Sequence, residues 1–369
     1  MPQPPLETHF QHLFRLLELE SSAERQADQL SRQASARAAE EAGVALTRLS
    51  LRDSDAGLGG RILLTFSRRQ SGTPLPWTRL GPGSPVLLSA EDDADKAVRG
   101  VVSLVERDRI QVAFLQEPEF DPEPSSYRLS LANDEIGQQR QRQALDAARL
   151  AADASPLGKL RAVLLGEASP EFDPPPAVDY FNNDLDSSQR AAIAFALSAQ
   201  RLAILHGPPG TGKTTTLVEF IRQAIRRGES VLVTAPSNLG VDNVLERLVA
   251  AGEQPIRLGH PARVQAELRQ RTLDELVEAH PEIRSARKLA REAYALRRQA
   301  GKYTRARPQP GERAAQRAEA RQMLADARSM EDQVIERLLA AAPILCATLT
   351  GLDRELLGDR RFDWVVIDE

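Results

Sequence analysis

Gly207, Pro208, Pro209, Gly210, Thr211, Gly212, Lys213 and Thr214 follow the spacing G-x-x-x-x-G-K-[ST]. That set of residue types is built to grip the phosphates of a nucleotide. Glycines let the backbone turn through positive φ and come close to a ligand. Free N–H groups of the loop, with the positive end of the helix dipole behind them, face the phosphate charge. Lys213 is placed to reach the β- and γ-phosphates, and the Thr214 hydroxyl to ligate Mg²⁺. A chance glycine turn is the plain alternative. The flanks argue against it: the apolar run Leu202 to Leu205 before the loop reads as a buried strand, and Leu217 to Ile225 after it as a helix.

A second set of chemical groups closes the sequence. Phe362, Asp363, Trp364, Val365, Val366, Ile367, Asp368 and Glu369 form an apolar run ending in two acids, the pattern of a Walker B strand. There the aspartate holds Mg²⁺ and the glutamate orients or deprotonates the attacking water. A buried strand with a polar end is the plain reading. Ending on that glutamate, the sequence reads as the N-terminal portion of a longer protein.

These groups need a scaffold, and composition says which kind. A length of 369 residues suggests two or three domains, and 41% hydrophobic with 27% charged residues suits a globular protein. No apolar run approaches about 18 residues, so no membrane span or membrane partner is expected. The start, Met1 to Pro5, lacks the basic-then-apolar order of a signal peptide. The single cysteine, Cys346, lies in an apolar run and reads as a core residue; it excludes an intrachain disulfide and fits a reducing, cytoplasmic setting. Net charge is −4, yet Arg284 to Arg321 holds 12 Lys/Arg against three acids, a local excess of +9. Such a segment suits phosphate binding, and equally a solvated helical arm.

Residues 6–42 read as one long helix with Leu6, Phe10, Leu13 and Leu17 on a face. Short strand candidates at 44–46, 61–66, 85–88, 100–105 and 109–114, separated by Gly/Pro/Asp turns, suggest a small β-barrel over 43–132. Residues 133–170 hold a second helix, antiparallel to the first, and a linker. From 171 to 369 strand and helix alternate, with strands expected at 202–206, 231–235, 344–348 and 363–368, the rhythm of a parallel α/β sheet. A charged helical insertion occupies about 262–338.

Two further stretches carry candidate chemistry. Gln189 stands 24 residues before Lys213, early in a helix capped by Asp186 or Ser187. A glutamine there has the donor and acceptor to pair with N6 and N7 of adenine; a surface glutamine is the plain alternative. The run Val231 to Ala235 leads into Pro236-Ser237-Asn238 and then a helix. Its free N–H groups with the Ser237 and Asn238 side chains equip the turn to hold a phosphate of a bound strand. Helix capping is the other use of the same groups.

Gln189, GPPGTGKTTT at 207–216, TAPSN at 234–238 with VDNVLERL, RLGHPARV at 257–264, CATLTG at 346–351 and WVVIDE at 364–369 together resemble the first motor domain of a superfamily 1 helicase. The branch they resemble holds the nonsense-mediated-decay RNA helicase and the immunoglobulin-mu-binding helicase. The resemblance covers 180–369 residue by residue; upstream, helix, barrel and helix match that branch's stalk and barrel in order and type. Gly240 departs from the alanine usual there. The resemblance implies a RecA-like fold and an ATP-hydrolysing, 5′-to-3′ translocating enzyme on single-stranded DNA or RNA, expected as a monomer. It implies that Gln189 reads adenine, that Gly207, Pro208, Gly210, Thr211, Gly212, Lys213, Thr214 and Thr215 hold the nucleotide, and that Thr214 and Asp368 bind Mg²⁺. Lys213 and Glu369 would be catalytic. Ser237, Asn238, His260, Arg263, Thr348 and Thr350 would face the strand. A second motor domain supplies arginine fingers in that branch, so little turnover is expected of this sequence alone. Two alternatives stand beside this reading. One is a nucleic-acid-binding module with an idle ATP site. The other is an AAA+ ATPase, disfavoured because Asp368 follows Lys213 by 155 residues (213 to 368).

Overall fold

The computed structural model describes residues 6–33, 35–57, 61–70, 72–91, 93, 96–115, 118, 120, 125–133, 135–301 and 312–369. The chain forms two compact units: Met1–Glu24, Asp134–Gly259 and Ala342–Glu369 make one, and Arg25–Asn133 with His260–Ala341 the other.

The helix expected over 6–42 is two helices, α1 (Leu6–Gln33) and α2 (Ala36–Glu41). The break has a local cause. Ser35 caps α2, its hydroxyl accepting from Ala38 N at 3.2 Å, and an extended N-cap residue cannot also continue a helix. Six antiparallel strands follow: β1 (Ala45–Ala56), β2 (Ile62–Arg68), β3 (Pro85–Ala90), β4 (Val98–Val105), β5 (Arg109–Phe114) and β6 (Tyr127–Leu131). They close into a barrel in the order β1-β2-β5-β4-β3-β6. Alternate residues point inward, so Leu46, Leu49, Phe66, Val86, Leu88, Val102, Ile110, Val112 and Leu129 fill it completely.

The same unit carries the helical insertion. Two 3₁₀ turns at Pro261–Arg263 and Ala266–Arg271 lead into α8 (Leu273–Ala279), α9 (Ile283–Gly301) and α10 (Glu312–Ala341). The last two pack against each other, and Tyr294 of α9 lies on the barrel core. Part of the basic excess at 284–321 is neutralised here: Arg287 pairs with Glu278 at 2.7 Å, and Arg291 lies 3.8 Å from Asp55. Lys302, Arg305 and Arg307 lie outside the described residues, as do the side chains of Arg297 and Arg298.

In the other unit, α3 (Glu135–Leu150) runs antiparallel to α1. Gln138 bonds Glu24, Arg142 lies 3.5 Å from Glu18, and Arg149 lies 3.4 Å from Glu7. After α4 (Pro156–Leu164) come α5 (Ser187–Ser198), α6 (Lys213–Arg226), β7 (Val231–Ala235), α7 (Asn238–Ala250), β8 (Ile256–Arg257), β9 (Ile344–Thr348), α11 (Arg354–Leu357) and β10 (Trp364–Ile367). The sheet is parallel, in the order β10-β7-β9-β8. β7 and β9 are central and read as continuous apolar runs, as strands covered on both faces must. Phe220 of α6 meets Trp364 of β10 edge-on at 5.1 Å.

One expected strand is absent. Residues 202–206 enter no ladder, and Ile204 is 74% exposed. β10 is accordingly an edge strand, with Val365 and Ile367 more than half exposed. An apolar run marks what a strand would bury, but a ladder also needs a neighbour with free N–H and C=O groups. β8, only two residues long, and β6 were not anticipated.

Candidate nucleotide and nucleic-acid site

The phosphate loop takes the conformation its glycines permit. Gly210 and Gly212 lie at φ +85° and +77°, the left-handed region where a Cβ is strained. At Gly210 no heavy atom lies within 4 Å of where a Cβ would stand; at Gly212 a Cβ would sit 2.5 Å from Gln189 Nε2. Gly212 is the N-cap of α6, and the first turn of that helix holds Lys213, Thr214 and Thr215. Lys213 Nζ donates to the carbonyls of Gly207 (2.8 Å) and Pro208 (3.2 Å), and Thr211 Oγ1 donates to Pro208 O at 2.9 Å. The ammonium thus lies over the loop beside exposed backbone, where a phosphate oxygen competes for it as a better-charged acceptor.

Gln189 serves this loop directly. It completes a capping box with Asp186: Gln189 N donates to Asp186 Oδ1 at 2.8 Å, and Asp186 N donates to Gln189 Oε1 at 3.0 Å. Its Nε2 donates to Thr211 O at 3.2 Å. The amide ties α5 to the loop. Behind it, buried Glu219 of α6 accepts from Phe181 N (2.8 Å), Asn182 N (3.1 Å) and Gln223 Nε2 (2.8 Å), fixing the segment that leads into α5.

At the end of β10, Asp368 N donates to Thr234 O at 2.9 Å. Burial raises the Asp368 carboxyl above the ordinary carboxylate range, as does the Glu369 charge, while the Lys213 and Arg247 cations oppose the rise. A carboxylate partly desolvated and beside a second acid is one that gains from a bound cation. Thr214 and Asp368 supply hard oxygen donors. No cluster of three or more His, Cys, Asp or Glu exists among the described residues that could hold a metal unaided. That sparse set suits Mg²⁺, which keeps waters and borrows phosphate oxygens.

The turn after β7 faces the same end of the sheet. Ser237 caps α7, its hydroxyl accepting from Gly240 N at 3.0 Å. A Cβ at Gly240 would stand 3.7 Å from Glu369 Oε2, so the first turn of α7 borders the terminal glutamate. Asn238 Oδ1 accepts from Arg257 Nη2 at 2.8 Å. Arg257 Nε also donates to Asp242 Oδ1 at 3.1 Å and its Nη1 to Leu258 O. Thr348 ends β9 and stands at the N-cap position of the 3₁₀ turn Leu349–Gly351, with no capping bond from its side chain. There Arg140 of α3 donates to Thr350 O at 2.9 Å and to Asp353 Oδ2 at 2.8 Å.

His260 and Arg263 belong to the barrel unit. Arg263 Nε donates to Gly83 O at 2.8 Å, a second bond coming from its Nη2. His260 Nε2 lies 3.5 Å from Ser103 Oγ, and its ring is held neutral, with its pKa pushed down to about 4 chiefly by burial and further by Arg61 and Arg263. The Arg263 guanidinium is thus committed to the barrel. Cys346 is fully buried and its thiol is pushed up to about 12, which leaves it inert.

Sequence reasoning missed Glu219, Asp242, Arg247 and Arg257. Three carry a legible signal, a charge inside an otherwise apolar run: LVEFI at 217–221, LGVDNVL at 239–245 and PIRLG at 255–259. Arg247 carries none.

Comparison with known proteins accords with this geometry. A family profile described as an AAA domain matches residues 184–369, and one described as the 1B domain of helicase SMUBP-2/HCS1 matches residues 10–125. The DNA-binding protein SMUBP-2 of Rattus norvegicus is 34% identical over 96% of this chain and 36% of its own length. The DNA polymerase alpha-associated DNA helicase A of Schizosaccharomyces pombe is 30% identical over 89% of this chain and 51% of its own. An uncharacterised ATP-dependent helicase of Methanocaldococcus jannaschii is 27% identical over 79% of this chain and 49% of its own. The chain therefore spans between a third and a half of the length of these relatives.

Proposed function

The chain belongs to the superfamily 1 helicases related to SMUBP-2, and on that premise we propose that it binds ATP and couples its hydrolysis to movement along single-stranded nucleic acid. The observation that carries the reading is one sheet end where the phosphate loop, Asp368 and Glu369 meet the turn at Ser237 and Asn238. Lys213 and the loop N–H groups hold the β- and γ-phosphates. Bound Mg²⁺ would neutralise phosphate charge; Thr214 and Asp368 hold it. Glu369 orients the attacking water. The Gln189 amide, released from Thr211 O or shared with it, reads adenine. Ser237, Asn238, Thr348 and Thr350 line the strand track, and their backbone-directed contacts make recognition independent of sequence. His260 and Arg263, positioned on the barrel unit beside Ser103 and Gly83, would also face the strand. The strand is DNA, supported by the printed names of the rat and fission-yeast relatives. We further propose a monomer acting in the cytoplasm.

The test is a pair of titrations, labelled oligo(dT) and oligo(U) against the chain at several salt concentrations, each with and without Mg-ATP. Salt-dependent binding of oligo(dT), together with nucleotide binding, supports the reading. Absence of strand binding at low salt refutes it, since phosphate contacts dominate such affinity.

A further inference from the structure

Helix α7 touches both halves of the proposed site. Its N-terminal turn carries Ser237 and Asn238, and Arg247 lies nine residues beyond Asn238, about 14 Å along the helix at 1.5 Å per residue. Arg247 Nη1 donates to Thr215 Oγ1 at 3.1 Å, so the far end of α7 is fastened to the first turn of α6, two residues after Lys213. The helix between these contacts is a stiff unit. Val241, Val244, Leu245 and Leu248 are buried, and Arg257 clamps both Asn238 and Asp242. A bar held in the core, with one end on the first turn of α6 and the other at the strand turn, is stiff enough to move as one piece.

The chemistry at the Arg247 end changes when nucleotide binds. Phosphates draw on the first turn of α6, which bears Thr215, the partner of Arg247. Resting on the functional reading above, we propose that Arg247 is the positioning residue through which the phosphate loop and the strand-binding turn sense each other.

Coupling of two sites is reciprocal and is read as a ratio of affinities. The experiment measures the Kd of fluorescein-labelled oligo(dT) by anisotropy, with and without saturating Mg²⁺ and adenylyl imidodiphosphate, for the wild-type chain, Arg247→Gln and Arg247→Lys. The wild type should show a ratio at least about fivefold from unity, the low end of measured allosteric couplings. Arg247→Gln should bring the ratio to within about twofold of unity, with each separate affinity changed less than the ratio. Arg247→Lys, which keeps a cation and a donor, should restore most of the coupling. A purely structural role would lower both affinities and leave the ratio unchanged. An unchanged ratio in Arg247→Gln, a wild-type ratio of unity, or a lysine variant no better than glutamine overturns the inference while leaving the functional reading in place. A wild type that binds neither ligand overturns both.

Discussion

Replacing Arg257 with methionine is the sharpest perturbation of this architecture. Arg257 and Asp242 are each 2% exposed, and the guanidinium bonds Asp242 Oδ1, Asn238 Oδ1 and Leu258 O. Methionine fills much of the same volume but takes away the cation, leaving the Asp242 carboxylate in the core without its guanidinium. Removing one member of a buried pair costs about 3–5 kcal/mol. The bond to Asn238, less deeply buried, adds about 1 kcal/mol. A domain holds only about 5–15 kcal/mol in total, so Arg257→Met should abolish most of the stability of the sheet unit. The double variant Arg257→Met/Asp242→Leu separates the causes. With both charges gone the core should recover most of the loss, since apolar replacement of a whole buried pair is commonly neutral or better. Asn238 remains unclamped, so strand binding should stay weak in the refolded protein. The assays are urea unfolding followed by circular dichroism and oligo(dT) anisotropy. A loss under about 1 kcal/mol in Arg257→Met, or a double variant no more stable than the single one, would refute the argument that this pair organises the turn.

Three other outcomes follow from the geometry. His260 is held neutral, with its pKa near 4 against an ordinary 6.5; its contribution is complete above pH 6.5 and is lost as pH falls towards 4. That slope amounts to about 3 kcal/mol at most, and His260→Gln should flatten it in thermal melts of the chain across that window. Gly212→Ala places a Cβ at positive φ and 2.5 Å from Gln189 Nε2. Nucleotide affinity should fall at least tenfold, and stability by about 1–2 kcal/mol, measured by calorimetry and melting; unaltered binding would show that the loop tolerates a different conformation. Neutralising Arg297, Arg298 and Lys302 together should reduce the salt slope of strand binding by up to about three released counterions, whereas an unchanged slope marks the segment as a solvated arm.

What the sequence made legible was local. The phosphate loop declares itself because its chemistry needs adjacent residues, β7 and β9 because a covered strand is an apolar run bounded by turns, and β10 because its apolar run closes on two acids. The barrel was legible as a class, yet β6 (Tyr127–Leu131) escaped although it alternates, and β1 runs to Ala56 where only its first residues were expected. Ladder partners decide how far a strand extends, and they lie far off in sequence. The same limit explains residues 202–206, apolar but unpaired. It also explains Arg257 and Arg247, whose partners stand 15 to 32 residues away. Nor could the sequence show that the Arg263 guanidinium bonds the Gly83 carbonyl, 180 residues distant.

The central claim, that the loop at 207–214 and Asp368 form a working nucleotide site, is tested most directly by calorimetric titration of Mg-ATP into the wild-type chain and Lys213→Ala. Saturable one-to-one binding in the wild type, weakened at least tenfold by loss of the charge on the β- and γ-phosphates, is the expected result. Equal affinity in the two proteins would contradict it.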